Sequence, residues 1–109
     1  MIATELRVGN LLNYCGNTVT VMEILRNNRV ELGYFTDSIG FVRSLDDENI
    51  KPIPLTEEWV TKCDKIYWLS KDIGGYFLWF NGDKIYIKYV HSLQTLYFAL
   101  TNEELKIEL

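Results

Sequence analysis

The stretch YFLWFNGDKIYIKYV, residues 76–90, decides the fold of this chain. Asn81-Gly82 stands between two apolar runs, and this dipeptide accepts positive φ at both positions of a two-residue type I′ loop. We therefore predict a β-hairpin whose closing pair is Phe80 and Asp83. Because side chains alternate across a strand, a slip of one residue would exchange the two faces of the hairpin.

This register predicts a hairpin with two faces of different character. One face is aliphatic and is expected to pack on the core: Tyr76, Leu78, Ile85 and Ile87. The other combines aromatic rings with a lysine, and we call it the aromatic face: Phe77, Trp79, Lys84 and Tyr86. Two interpretations of the aromatic face stay open. Large aromatic side chains are mostly covered by their own chain, whereas contiguous exposed aromatic area marks an interaction site.

A helix is predicted directly after the hairpin, in HSLQTLYFAL, residues 91–100. Its apolar residues recur at spacings of three and four and form one stripe: Leu93, Leu96, Tyr97 and Leu100. Asn102 is expected to end the helix in the left-handed conformation. His91 and Gln94 lie one turn apart and form a predicted polar edge, with His91 capping the helix start or bonding a neighbouring backbone group.

The last residues allow two interpretations. Leu105, Ile107 and Leu109 alternate with charged residues, which predicts a short final strand. Alternatively, Thr101 and Glu104 form a capping box that starts a new helical turn. We favour the strand.

The first fifty residues are typical of short strands joined by glycine and asparagine turns. Turns are expected at 16–17 and at Asn27-Asn28. The predicted strands and loop between them are Thr18–Leu25, Arg29–Tyr34, a loop at 33–40 and Phe41–Arg43. This spacing predicts a curled sheet or an SH3-like half-barrel. The fold class is therefore α+β.

The segment KPIPLTEEWVTKC, residues 51–63, predicts an extended joint followed by a helix. Proline fixes φ and disfavours helix in the residue before it. Thr56 is the expected N-cap, and Glu57 and Glu58 complement the helix dipole in the first turn. Cys63 is expected to face the core as a small hydrophobe. We predict one domain over residues 1–109, with a β-rich part at 1–50 and an α+β part at 51–109.

Composition narrows the possible functions. The 109 residues carry a net charge of −4, and the 11 basic residues form no cluster, so direct binding of nucleic acid is not expected. No apolar run is long enough to cross a membrane. The opening residues show no cationic segment followed by an apolar core, and Cys15 and Cys63 lie far apart. We therefore expect a cytoplasmic protein with reduced thiols.

Four motifs carry a resemblance: LRVGN at 6–10, PIPLTEEW at 52–59, YFLWFNGDKIYIKYVH at 76–91 and LQTLYFALTNEEL at 93–105. Together they resemble a group of small uncharacterised proteins carried by bacteria and their phages or mobile elements. The resemblance covers most of the chain and is least at 37–47 and 63–75. It implies a cytoplasmic bacterial or phage origin and carries no activity. Where those relatives usually have glycine this chain has Asn102, and both residues tolerate a left-handed cap.

The sequence contains no recognisable catalytic constellation. A dyad of Cys63 and His91 is the most specific catalytic hypothesis, because a thiolate paired with an imidazole is a common nucleophile. Nothing in the sequence, however, brings the two residues together. The acids at 46–48 lack the spacing of a calcium loop, and the glycines at 74–75 lack the Lys-Ser or Lys-Thr of a phosphate loop. We expect no enzymatic activity, no cofactor and no metal.

The sequence thus predicts a non-catalytic cytoplasmic interaction module. Its partner is an unidentified protein or a second copy of the chain. The alternative is an acidic phage-type regulator or inhibitor of a nucleic-acid-processing enzyme, which the negative charge and the resemblance both favour.

Overall fold

The computed structural model describes residues 3–34, 39–64 and 66–109, and its fold is α+β, as predicted. Within these residues eight strands form two antiparallel sheets, of five and three strands, together with two α-helices and no closed barrel. The chain divides into two compact units, Met1–Ile53 and Pro54–Leu109. The division falls in the proline-containing joint.

The first unit begins with a 3-10 turn, Ala3–Glu5, and then forms the N-terminal sheet. Its strands are β1 (Leu11–Tyr14), β2 (Asn17–Leu25), β3 (Arg29–Tyr34), β4 (Gly40–Ser44) and β5 (Ile50–Lys51). Their spatial order is β4-β3-β2-β1-β5. The buried core of this unit is aliphatic throughout: Leu6, Leu12, Val19, Val21, Val30, Leu32, Leu45 and Ile50.

The N-terminal sheet is curled. Strands β1 and β4 are separated by two others and would lie about 14 Å apart in a flat sheet. The ring centroid of Tyr14 on β1 nevertheless lies 5.2 Å from that of Phe41 on β4. A bulge at Met22 in β2 adds local bending. The curl brings side chains of distant strands together on one face.

The turn between β1 and β2 lies one residue earlier than predicted. Cys15 and Gly16 form the two-residue loop, with φ of 51° and 85°, and Tyr14 pairs with Asn17. The prediction of Gly16-Asn17 was wrong because a cysteine accepts the left-handed conformation here. The side chain of Asn13 accepts the Gly16 N–H at 3.1 Å and supports this loop.

Other N-terminal predictions have mixed outcomes. Asn27 and Asn28 are both left-handed, with φ of 60° and 55°, which confirms that turn. Four of the eight residues in the predicted loop at 33–40, residues 35–38, lie outside the described residues. Residues 33–34 belong to β3 and Gly40 to β4. Strand β5 was not predicted, since its two residues are too short to show a period.

The second unit contains two helices and the C-terminal sheet. Its elements are α1 (Glu57–Lys62), β6 (Ser70–Asp72), β7 (Gly75–Phe80), β8 (Asp83–Tyr86) and α2 (Val90–Thr101). Strand β6 was not predicted, and it pairs with β7 to extend the hairpin. The buried core is Leu78, Ile87, Leu93 and Leu105.

The register predicted for the β7–β8 hairpin is confirmed. Asn81 and Gly82 have φ of 51° and 83°, and Phe80 pairs with Asp83. On the inward face, Leu78 and Ile87 enter the core. Ile85, paired with Leu78, is instead 44% exposed, so the prediction that it packs on the core was wrong. Only the end of the hairpin away from the Asn81-Gly82 turn covers the core, and the end that carries the turn projects beyond it.

Helix α1 begins after Thr56, as predicted, although the Thr56 side chain makes no capping hydrogen bond. The C-terminal helix ends as predicted. Asn102 adopts φ 58° and ψ 24°, and its N–H donates to the Phe98 carbonyl at 2.8 Å. The predicted apolar stripe is only partly buried, since Leu93 is fully buried whereas Leu100 is 51% exposed. The first half of the helix packs into the core, and its last turn projects from it.

The predicted final strand is reduced to a single bridge between Cys63 and Ile107. The backbone around it is extended, with the Glu108 N–H donating to the Lys62 carbonyl at 2.7 Å. Thr101 lies inside helix α2, where its hydroxyl donates to the Tyr97 carbonyl at 2.7 Å. The alternative capping box therefore does not form.

In the described part of the chain neither α-helix has the length and hydropathy needed to span a membrane.

Leu93→Ala should destabilise the second unit by about 2–5 kcal/mol, because it leaves a cavity in a closely packed core. Leu100→Ala on the same helix face should change stability by at most about 0.5 kcal/mol, because its side chain is half exposed. Urea unfolding followed by tryptophan fluorescence measures both, since all three tryptophans lie in this unit. Equal losses would contradict the observed burial of the helix.

Candidate interaction surface

The aromatic face of the hairpin is exposed at three of its four residues. Trp79 is 59% exposed and Tyr86 is 42% exposed, whereas Phe77 between them is only 5% exposed. Of the two interpretations of this face, burial by the chain itself applies to Phe77, and exposure applies to Trp79 and Tyr86. The candidate interaction surface consists of Trp79, Lys84 and Tyr86, with Phe77 beneath them.

Phe77 organises the rings around it. The Trp79 ring meets it edge-on, with centroids 5.7 Å apart and planes at 87°. The Tyr86 ring lies at the same centroid distance and is tilted by 55°. Aromatic pairs prefer such edge-to-face and offset arrangements, because the ring edge is positive and the face is negative. The buried ring thus holds both exposed rings in defined orientations.

Lys84 completes the aromatic face with a cation. Its Nζ lies 4.7 Å from the Phe77 ring centroid and 5.4 Å from that of Trp79. An ammonium group at this distance is attracted by the negative face of each ring. The lysine stem is therefore held across the two aromatic residues.

Asp72 on β6 fixes the lysine from the other side. Its Oδ2 accepts hydrogen bonds from Lys84 Nζ and from the Tyr86 hydroxyl, each at 2.8 Å. Its Oδ1 accepts the Gly74 N–H at 2.7 Å. One carboxylate thus ties the β6–β7 turn to two residues of β8.

These hydrogen bonds shift three pKa values. The pKa of Asp72 is lowered, first by the hydrogen bond from Lys84 and then by that from Tyr86. The pKa values of Lys84 and Tyr86 are both raised, and the hydrogen bond to Asp72 is the main cause of each. At neutral pH the carboxylate, the ammonium and the phenol all persist. The surface accordingly carries a compensated charge rather than a free lysine.

Gly74 makes room for this arrangement. A Cβ at this position would lie 2.8 Å from Cε1 of Tyr86, so any side chain would displace the tyrosine ring. Sequence reasoning missed Asp72 because it did not recognise β6. The signal available was Asp72 followed by a short glycine-containing connection and an alternating strand, which is typical of a hairpin.

The predicted polar edge is not on the surface. His91 and Gln94 are both buried. The His91 ring is stacked on the Tyr89 ring, with centroids 5.6 Å apart and planes at 8°. Tyr89, rather than His91, occupies the N-cap position of α2. The two polar residues belong to the helix half that packs inward, which a stripe drawn from leucine spacing does not indicate.

A cleft of about 390 Å³ lies between the end of α1 and β6. Its lining is mainly apolar and includes Val60, Ile66 and Leu69, with Lys71 and Cys63 among the polar contributions. The Cys63 thiol donates to the Trp59 carbonyl at 3.3 Å. Desolvation by burial, helped by Asp64, raises the pKa of Cys63 to about 11. A protonated thiol is a weak nucleophile, so this geometry does not support the Cys63–His91 dyad.

A second aromatic cluster lies on the N-terminal sheet. The rings of Tyr14 and Tyr34 each contact the Phe41 ring, and the Arg43 guanidinium carbon lies 5.0 Å from the Phe41 centroid. The Arg43 Nε donates to the Tyr14 hydroxyl at 2.9 Å, which is the main cause of its raised pKa. The chain's own arginine thus lies over the rings of Tyr14 and Phe41.

Within residues 3–34, 39–64 and 66–109 no group of three or more histidine, cysteine and acidic side chains is placed to hold a metal ion. Comparison of the chain with family models, curated proteins and solved structures finds no significant match.

Cys63 should react slowly with iodoacetamide at pH 8. A pKa of about 11 in place of 9.0 reduces the thiolate fraction about a hundredfold relative to the unfolded chain. Cys15 is exposed and serves as the internal reference. Mass spectrometry of timed samples, native and denatured, measures both sites. Modification of Cys63 at equal rates in the two states would show that folding neither shields its thiol nor raises its pKa.

Proposed function

We propose that this chain is a non-catalytic protein-interaction module that binds a partner protein through Trp79, Lys84 and Tyr86. The observation that carries the proposal is the exposure of two large aromatic side chains around a lysine whose position is fixed. Exposed aromatic area of this kind is characteristic of protein contacts, where tryptophan and tyrosine dominate the binding free energy.

The order of the surface supports binding without large rearrangement. Phe77 orients both rings, and Asp72 holds Lys84 and Tyr86 by two hydrogen bonds of 2.8 Å. A side chain that is already immobilised loses less conformational entropy when a partner binds. Because Asp72 compensates the lysine, the expected partner presents an apolar, uncharged contact surface.

The location and the finer fold belong to the same proposal. We place the module in the bacterial cytoplasm, with Cys15 and Cys63 reduced. The curled sheet, in which β1 to β4 follow in order and β5 returns to β1, supports an SH3-like half-barrel for the first unit.

The net charge of −4 supports a second candidate, an acidic regulator that occupies the basic groove of a nucleic-acid-processing enzyme.

Trp79→Ala should abolish binding of the partner protein. It should leave the free energy of unfolding almost unchanged, because the side chain is mostly exposed. The tagged full chain is used to capture proteins from a lysate of the encoding bacterium. Phe80→Ala is the matched control, since Phe80 is 55% exposed on the opposite face of the same strand. A protein retained by wild type and Phe80→Ala but lost with Trp79→Ala and Tyr86→Ala supports the proposal.

The same experiment separates the alternatives. Retention of the captured protein by Trp79→Ala, or equal loss with Phe80→Ala, would exclude the aromatic face as the binding surface. Elution of a basic protein by moderate salt would favour the acidic regulator, because exposed charge pairs are screened by salt. A large loss of thermal stability in Trp79→Ala with unchanged binding would assign the tryptophan a structural role.

A further inference from the structure

Strand β8 forms an edge of the C-terminal sheet. In the part of the chain that the structure describes, its residues pair with β7 and with no other strand, and all of them are exposed. Beyond Tyr86 the edge is closed, because the Lys88 carbonyl accepts the Leu55 N–H at 2.8 Å. The open edge is therefore limited to Asp83–Tyr86. Unpaired backbone groups along such an edge are a template for another strand.

The alternation of backbone hydrogen bonds decides which groups point outward. The Ile87 N–H donates to the Tyr76 carbonyl at 2.9 Å across the hairpin. Successive residues of an antiparallel strand direct their backbone groups to opposite sides. Ile85 therefore bonds toward β7, as Ile87 does. Lys84 and Tyr86 direct their N–H and C=O groups toward the open edge.

Lys84 does not protect this edge in the usual way. A lysine on an edge strand ordinarily prevents pairing, because its free charge resists burial. Here the Lys84 ammonium is paired with Asp72 at 2.8 Å. Its neighbour Ile85 is 44% exposed although it stands opposite the buried Leu78. The edge thus combines a compensated charge with an exposed aliphatic side chain.

We propose that β8 pairs antiparallel with β8 of a second copy of this chain, about a two-fold axis through Ile85. Ile85 then faces Ile85 of the second copy as a non-hydrogen-bonded pair, in which side chains lie closest. Lys84 faces Tyr86 of the second copy, and the two residues exchange both backbone hydrogen bonds. This pairing uses the outward N–H and C=O groups of both residues and buries the exposed isoleucine.

Charge selects this register over its neighbours. A two-fold axis through Lys84 places Lys84 of one copy opposite Lys84 of the other. A two-fold axis through Asp83 places the two Asp83 carboxylates opposite each other. An axis through Tyr86 sets Lys84 against Lys88, whose carbonyl already accepts the Leu55 N–H. Like charges directly opposite in a sheet are destabilising. The axis through Ile85 avoids all three conflicts. This pairing of two copies goes beyond the proposed function, because it requires no other protein.

Disulfide crosslinking tests the register. Cα atoms of a non-hydrogen-bonded pair lie about 4.5 Å apart, within the range that a disulfide bridges. Ile85→Cys, in a Cys15→Ser background that removes the exposed native thiol, should form a covalent dimer under mild oxidation. Asp83→Cys is the matched control on the same face of the same strand. Its counterpart in the dimer would lie about 13 Å away, so it should stay monomeric.

Sedimentation velocity of the full chain tests the association itself. The wild type should show a monomer–dimer equilibrium that depends on concentration. Ile85→Lys places two ammonium groups opposite each other and should weaken the dimer by about tenfold or more. Circular dichroism checks that each variant is folded, which is expected because residue 85 is exposed.

Two results would overturn the proposal: a wild-type chain that stays monomeric up to about 1 mM, or crosslinking of Asp83→Cys that equals that of Ile85→Cys. Neither result would bear on the partner protein, because these measurements use the purified chain and leave Trp79 unchanged. Conversely, loss of partner binding in Trp79→Ala with an intact dimer would separate the aromatic face from the edge.

Discussion

The two-residue loop at Asn81-Gly82 is the constraint on which the C-terminal sheet depends. Both residues adopt left-handed φ, and this geometry closes β7 and β8 on the pair of Phe80 and Asp83. Because a strand alternates its side chains, that one closing pair determines every other position of the hairpin. Leu78 and Ile87 reach the core as a consequence, and Trp79 and Lys84 share the opposite face.

Asp72 turns this face into an ordered surface. Without a carboxylate at that position, Lys84 would carry a free charge on a flexible stem, and the Tyr86 hydroxyl would depend on solvent. With it, strand β6, the turn at Gly74 and strand β8 are joined by hydrogen bonds to one side chain. Side chains at the surface usually gain little from ion pairing. Here the ion pair matters for the position of side chains, because it orders the aromatic rings and compensates the charge of Lys84 on the edge strand.

How much of this could be predicted from the sequence depends on the range of the interactions. The hairpin register and the Asn102 cap follow from the conformational freedom of asparagine and glycine, which is local, and both were predicted correctly. The burial of Phe77 and the exposure of Ile85 depend on what covers each face, which no register specifies.

Other differences have similarly specific causes. The segment Ser70–Asp72 has no alternation of apolar and polar residues, so neither β6 nor the role of Asp72 was predicted. Cys15 occupies a left-handed turn position that sequence reasoning assigned to its neighbours. Gln94 is buried because the first half of α2 packs inward across a wider arc than its leucine stripe indicates.

The proton chemical shifts of the Lys84 side chain through an acid titration test the central claim most directly. Since the pKa of Asp72 is lowered, its ion pair is complete above the ordinary carboxyl pKa of about 4 and is lost as the pH falls through the lowered value. The Lys84 methylene protons should be displaced upfield by the Phe77 and Trp79 rings at neutral pH and should return to ordinary positions only in that acid range. Undisplaced protons at neutral pH, or a displacement that persists after Asp72 is protonated, would contradict an aromatic face ordered by this carboxylate.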